Sequence, residues 1–167
     1  MAYHDPMPSR ISIQTIGVIH SPYTTRENMP IQPPGAGEVE GTVEVFPRFA
    51  PGLKDLDGFS HIYLIYRFHL TRQTRLEVVP FLDTVLRGVF ATRSPRRPAR
   101  IGLSIVELME VDENHLRVKG IDILDGTPLL DIKPYVPAFD DRPGARTGWL
   151  TPGRERIRRQ RSDNRFS

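Results

Sequence analysis

The sequence predicts a mainly β, single-domain protein, a barrel or a sandwich with short helical or irregular connections, and three observations predict it. Its apolar segments are short and rich in branched and aromatic residues. Sixteen prolines and thirteen glycines interrupt nearly every window long enough for a good helix. The chain has 167 residues, 38% of them hydrophobic, enough for one domain that buries roughly 70% of the surface of its unfolded chain.

Taken in order, Ile11 to Ile19 (ISIQTIGVI) carries apolar residues at 11, 13, 16, 18 and 19 and reads as a strand. Glu38 to Phe46 alternates, Val39, Val43 and Val45 opposing Glu38, Glu40 and Glu44, with an interruption at Gly41-Thr42. His61 to Leu70 (HIYLIYRFHL) is nearly continuous in apolar residues, the pattern of a strand covered on both faces. Arg75 to Asp83 is a helical turn or an extended loop, since Pro80 opposes a long helix. Val85 to Ala91, Ile101 to Val111 and His115 to Ile123 complete the six strands, the last two joined by the turn residues Asp112-Glu113-Asn114. Between the first two strands, segment 22–37 (PYTTRENMPIQPPGAG) is too long for a hairpin turn, and loops of that length are functional or disordered. The domain spans 11–150. Residues 151–167 form a basic tail without apolar periodicity, expected to be mobile.

Charge and composition exclude several chemistries. There are no cysteines, so disulfides, thiolate metal sites and cysteine nucleophiles are ruled out. No apolar run approaches the roughly 20 residues of a membrane helix, and MAYHDPMPSR lacks a signal peptide's apolar segment; a cytoplasmic protein is expected. The single G-x-G, Gly35-Ala36-Gly37, follows two prolines rather than a strand, so it is no dinucleotide fingerprint. His61 and His69, if both on one strand, would stand about 26 Å apart, too far to share a metal, and no metal site is expected. The net charge of +3 is uneven: residues 154–167 hold six arginines against Glu155 and Asp163, while Arg87 to Arg100 holds five arginines and no acid. Such guanidinium groups suit phosphates and carboxylates, although an arginine loop is equally a solubilising surface and an arginine tail is more often a solvated terminus.

Three segments concentrate special residues. Gly88 to Ser104 runs a strand into a proline-punctuated arginine loop and out into another strand. Asp122 to Tyr135 holds the turn Asp125-Gly126 with Pro128, followed by Asp131, Lys133 and Tyr135 on alternate positions. An acid, an amine and a phenol on one strand face can orient a nucleophile and move a proton, or can be an ordinary exposed ion pair. Leu53 to Leu70 ends near His69, which could line a pocket. The aromatics clustered in 59–68 look like core, which counts against a stacking platform for bases.

Within these segments, I-G-V-I-H-S-P-Y (16–23), L-x-D-L-x-G-F-S-H-I-Y-L-I-Y (53–66), G-V-F-A-T-R-S-P-x-R-P-x-x-I-G-L-S (88–104) and D-x-L-D-G-T-P-x-L-D-I-K-P-Y (122–135) closely resemble the TsaA-like family of the YaeB/TrmO type. Its best-understood members are S-adenosylmethionine-dependent methyltransferases acting on N6 of threonylcarbamoyladenosine at tRNA position 37. The match covers roughly residues 11–150. It implies a β-barrel distinct from Rossmann methyltransferases, a homodimer, and S-adenosylmethionine as cofactor. By position, the resemblance assigns cofactor contacts to Pro30, Ile31 and Gln32 in the long loop, to Phe68 and His69, to Arg93 and Leu103, and to Leu124, Asp125, Gly126 and Thr127 in the turn.

With a tRNA anticodon loop as partner, Arg96, Arg97 and Arg100 are the candidate RNA contacts, and Asp131, Lys133 and Tyr135 the candidate catalytic residues. The sequence departs from the family pattern twice. Pro30-Ile31-Gln32-Pro33 stands where P-R-Q-P is usual, and Arg97-Pro98-Ala99-Arg100-Ile101-Gly102 where R-P-N-P-I-G is usual. Longer bacterial members carry an additional C-terminal domain. Two other readings stay open: a methyltransferase for a different small molecule or protein, and a non-catalytic barrel that binds RNA or a nucleoside.

Overall fold

A strand with one apolar face must bury that face, and here six strands do so by closing on one another. The computed structural model describes residues 10–27, 29–30, 36–81, 83–150 and 161. Its strands are β1 (Gly17–His20), β2 (Glu40–Val45), β3 (His61–Arg67), β4 (Glu77–Val78), β5 (Arg87–Gly88), β6 (Ile101–Asp112), β7 (His115–Lys119) and β8 (Thr127–Pro134). Six of them form a closed antiparallel barrel in the order β1-β2-β7-β6-β3-β8, and β4 and β5 make a separate two-stranded ribbon. Closure leaves no barrel edge unpaired.

The period-two alternation of the sequence becomes the inside and outside of this barrel. Ile19, Val43, Val45, Ile62, Leu64, Val106, Leu116, Val118 and Leu129 point inward and are at most 1% exposed. Each such side chain contributes about 1.5–3 kcal/mol by leaving water. Ile121 and Ile123, on the segment that enters β8, join the same core and so plug the mouth of the barrel.

Several sequence expectations are corrected. The first strand begins only at Gly17, because the antiparallel partners of β1 start there, at Val45 on one side and Leu129 on the other. The third segment is a strand as far as Arg67, with one face inside and the other only partly covered. His69 lies beyond its end, so His61 and His69 do not share the strand. Among residues 59–68 only Tyr66 is a buried aromatic; Phe59 is exposed. Val85 to Ala91 is mostly not strand: Arg87–Gly88 pairs with Glu77–Val78, and Val89–Ala91 is a 3-10 turn. The last predicted strand stops at Lys119, where Gly120 turns at φ 81°. A sixth barrel strand comes instead from Thr127–Pro134. The turn at Asp112-Glu113-Asn114 stands as read, with Asn114 tied to Val45 through its backbone and its side-chain amide.

Antiparallel closure has a consequence for the site. The C-terminal ends of β1, β3 and β7 and the N-terminal ends of β2, β6 and β8 all lie on one rim of the barrel. The loop after β1, the turn after β3, the arginine loop before β6 and the Asp125-Gly126 turn before β8 therefore share that rim.

Candidate functional site

The rim is built around the turn that precedes β8. Gly126 sits at φ 73°, a conformation that L side chains rarely adopt, and this lets residues 121–127 double back onto the end of β1. The N–H groups of Gly126 and Asp125 donate to the carbonyls of Ile19 (2.9 Å) and Tyr23 (2.8 Å). Ser21 donates its N–H to the Asp125 carboxylate (3.1 Å) and its hydroxyl to the Ile123 carbonyl (2.6 Å). The Thr127 hydroxyl closes the turn on the Leu124 carbonyl at 2.6 Å. These bonds hold the turn in one shape.

Directly behind the turn is a buried polar chain that sequence reasoning missed. The Tyr66 hydroxyl lies 3.1 Å from the Ser104 hydroxyl, which donates to the Asp122 carboxylate at 2.6 Å. Tyr66 and Ser104 are buried within the barrel. Burial pushes the Asp122 carboxyl up to about 6, against the pull of the Ser104 hydrogen bond and the Arg93 guanidinium. Burial also pushes the Tyr66 phenol far up. Gly102 stands directly opposite Tyr66 across β3 and β6, and a Cβ there would lie 2.2 Å from the ring. The glycine is the space in which the ring lies. One signal for Asp122 was present: it opens the D-x-L-D-G-T-P motif.

The resemblance-assigned cofactor residues converge in part. Phe68 packs edge-on against Tyr66 at 5.5 Å between ring centroids, and its N–H donates to the Arg100 carbonyl at 2.8 Å. His69 follows in the same turn; burial and the nearby Arg26 guanidinium lower its pKa. Arg93 lies close enough to act electrostatically on Tyr66 and Asp122. Pro30 is buried and makes a β-bridge with Arg161. Ile31 and Gln32 lie outside the described residues, as do all the tail residues except Arg161. Leu103 is placed differently: it is on the outer face of β6, 46% exposed, opposite Ile65 of β3.

The three candidate catalytic residues are not at the rim together. Asp131 and Lys133 form an ion pair of 3.0 Å on β8, opposite Ile65 and Tyr63 of β3. Tyr135 lies past the end of β8, eight residues or about 27 Å along the strand from Thr127. Its hydroxyl donates to Asp141, and that bond pushes the phenol up to about 12. Of the candidate RNA contacts, Arg97 donates to the Thr92 carbonyl (3.0 Å) and Arg100 to the Arg72 carbonyl (3.0 Å). These bonds brace the loop that carries Arg96. Among the described residues no group of three or more His, Asp or Glu side chains could hold a metal ion. No helix among them is long and apolar enough to cross a membrane.

With this geometry established, comparison with known proteins decides the family. The sequence profile of the tRNA-methyltransferase O N-terminal domain matches residues 18–141. The chain belongs to that family. It is 51% identical over 160 residues to a probable S-adenosyl-L-methionine-binding protein of Pyrococcus abyssi, covering 96% of this chain and 87% of that one. It is 37% identical over 147 residues to a tRNA (adenine(37)-N6)-methyltransferase of Escherichia coli, covering 82% of this chain and 63% of that enzyme. The crystal structure of TrmO from Pseudomonas aeruginosa superposes with a TM-score of 0.71 at 39% identity, covering 86% of this chain and 64% of that one. The chain thus spans less than two thirds of the Escherichia coli and Pseudomonas aeruginosa proteins. The closed barrel expected from the resemblance is the fold of this family.

Proposed function

We propose that this protein binds S-adenosylmethionine at the rim described above and methylates N6 of threonylcarbamoyladenosine at position 37 of tRNA. Family membership, with 37% identity to the Escherichia coli tRNA (adenine(37)-N6)-methyltransferase, carries this reading. The chemistry of the rim fits the cofactor: a buried carboxyl (Asp122), a guanidinium (Arg93) and an aromatic ring (Phe68) lie around one rigid turn. When bound, the cofactor supplies an electrophilic methyl group. The residues around it hold its ends still and keep water away, and positioning of that kind supplies a large part of a methyl-transfer barrier.

Position 37 lies in an anticodon loop, whose unpaired bases can be reached without melting a helix. Arg96, Arg97 and Arg100 are proposed to meet its phosphates. Asp131 and Lys133 lie along β8 and Tyr135 past its end, away from this rim, so the proposal that they handle the acceptor nitrogen and its proton requires a second protomer to bring them to it. Alanine at each of the three should lower turnover more than cofactor affinity, whereas a merely structural ion pair leaves turnover unchanged. A homodimer is proposed on the outer face of β6, where Leu103, Ile105 and Met109, each 36–46% exposed, flank Glu107. The setting is the cytoplasm.

The test is mass spectrometry of tRNA nucleosides after incubation with protein and S-adenosylmethionine. N6-methylated threonylcarbamoyladenosine is the expected product. Cofactor binding without this product would point to another methyl acceptor. RNA binding without cofactor binding would point to a non-catalytic barrel.

A further inference from the structure

The Tyr66–Ser104–Asp122 chain places a carboxyl inside an otherwise apolar barrel. A carboxylate taken out of water is costly unless it meets a cation or several donors. The donors to Asp122 are the Ser104 hydroxyl at 2.6 Å and its own backbone N–H. Asp122 is only partly covered as a residue although its carboxyl is buried, and it sits in the turn that forms the proposed cofactor rim. The tRNA is a polyanion and does not suit such a site. S-adenosylmethionine does, because its amino-acid end carries an α-ammonium beside an α-carboxylate, and Arg93 acts on Asp122 from the neighbouring loop.

We infer that Asp122 receives the α-ammonium group of the cofactor's amino-acid end while Arg93 receives its α-carboxylate, so that the Tyr66–Ser104 chain aims and holds a zwitterion-recognising acid. The inference rests on the cofactor reading above and assigns a role to a residue outside the resemblance-derived contacts. It also explains why Gly102 leaves room for the Tyr66 ring. The ring carries the hydroxyl that lies against Ser104, and Ser104 fixes the carboxylate. Asp122 is therefore a binding residue, and Tyr66 and Ser104 are positioning residues.

The groups that act on Asp122 are Ser104 of β6, its own backbone N–H and Arg93 of the arginine loop, and Asp122 in turn raises Tyr66 of β3 and Tyr23 after β1; Arg161 acts on Tyr23. With the free carboxyl at about 6, binding of an ammonium at pH 6 should release about half a proton per site.

The experiment is isothermal titration of the full-length protein with three ligands at pH 7.5. S-adenosylmethionine has both the ammonium and the sulfonium. S-adenosylhomocysteine keeps the ammonium and is a neutral sulfide. Methylthioadenosine lacks the amino-acid end altogether. Asp122→Asn should weaken the first two by about tenfold or more and leave methylthioadenosine within about twofold. Loss for S-adenosylmethionine alone would assign Asp122 to the sulfonium and overturn the inference. Equal loss for all three would reduce Asp122 to a scaffold residue and overturn it as well. A second measurement uses only the wild-type protein: titration at pH 6 in buffers of different ionisation enthalpy should show the proton release, and its absence would refute the proposal even if Asp122→Asn fails to fold. Wild-type protein that binds none of the three ligands would overturn the cofactor reading itself.

Discussion

Replacing Gly102 with alanine should damage the fold well beyond the size of one methyl group. The new Cβ would meet Tyr66 ring atoms at 2.2, 2.5 and 2.8 Å, all inside contact distance. The ring cannot simply swing away. It is 6% exposed inside the barrel, its hydroxyl lies 3.1 Å from Ser104, and its other flank packs on Phe68. Overpacking of this kind costs about 1–3 kcal/mol, and loss of the Tyr66–Ser104 hydrogen bond adds about 1 kcal/mol. The expected destabilisation is about 2–4 kcal/mol, which for a chain of this length lowers Tm by roughly 5–15 °C. Urea denaturation with parallel calorimetry measures it. Gly52→Ala, at a position with nothing within 4 Å of the added atom, is the comparator and should stay within about 0.5 kcal/mol of wild type. If Gly102→Ala matched that comparator, the crowding argument would be wrong, and with it the claim that the glycine exists for the ring.

Other outcomes follow from the same site. Asp122 has its carboxyl raised from 3.8 to about 6 in the folded state, so the native state holds its proton more tightly than the unfolded chain. That group's contribution is intact below pH 4 and is lost as pH rises through 6, a total of about 3 kcal/mol. Stability of Asp122→Asn relative to wild type should therefore grow between pH 4 and 7 in urea melts; a pH-independent difference would contradict the burial. Ser104→Ala removes the donor to Asp122 and the partner of Tyr66, and chemical denaturation should show a loss of about 1–3 kcal/mol. Arg117→Ala removes exposed ion pairs to Glu110 and Glu40, and the same measurement should change by less than about 0.5 kcal/mol. If arginines meet phosphates, tRNA affinity in filter binding should fall steeply with salt, and less steeply once the tail is deleted; a flat salt response would remove the arginines from recognition.

The legible and illegible parts of the molecule separate by the range of the interactions that make them. Val43 and Val45 announced an inward face because side chains on a strand alternate whatever the strand's partners are. The turns at Asp112-Glu113-Asn114 and Asp125-Gly126 were readable because a turn is made by its own residues. The motifs of residues 16–135 identified the family. Element ends were less legible: Phe68, His69 and Leu70 are as apolar as β3 itself, but no partner strand runs beside them, since β6 begins opposite Arg67.

By itself, then, the sequence determined a β domain without thiol chemistry, a family, and the turn on which the proposed cofactor residues lie. Tertiary structure alone decided that six strands close with four loops on one rim, because closure depends on pairings between residues more than a hundred positions apart, such as Gly17 with Leu129. It also decided that Tyr66, Ser104 and Asp122 form one buried chain. Three ordinary polar residues on separate segments have no shared signal in the sequence. They acquire their chemistry only when the barrel removes the water around them.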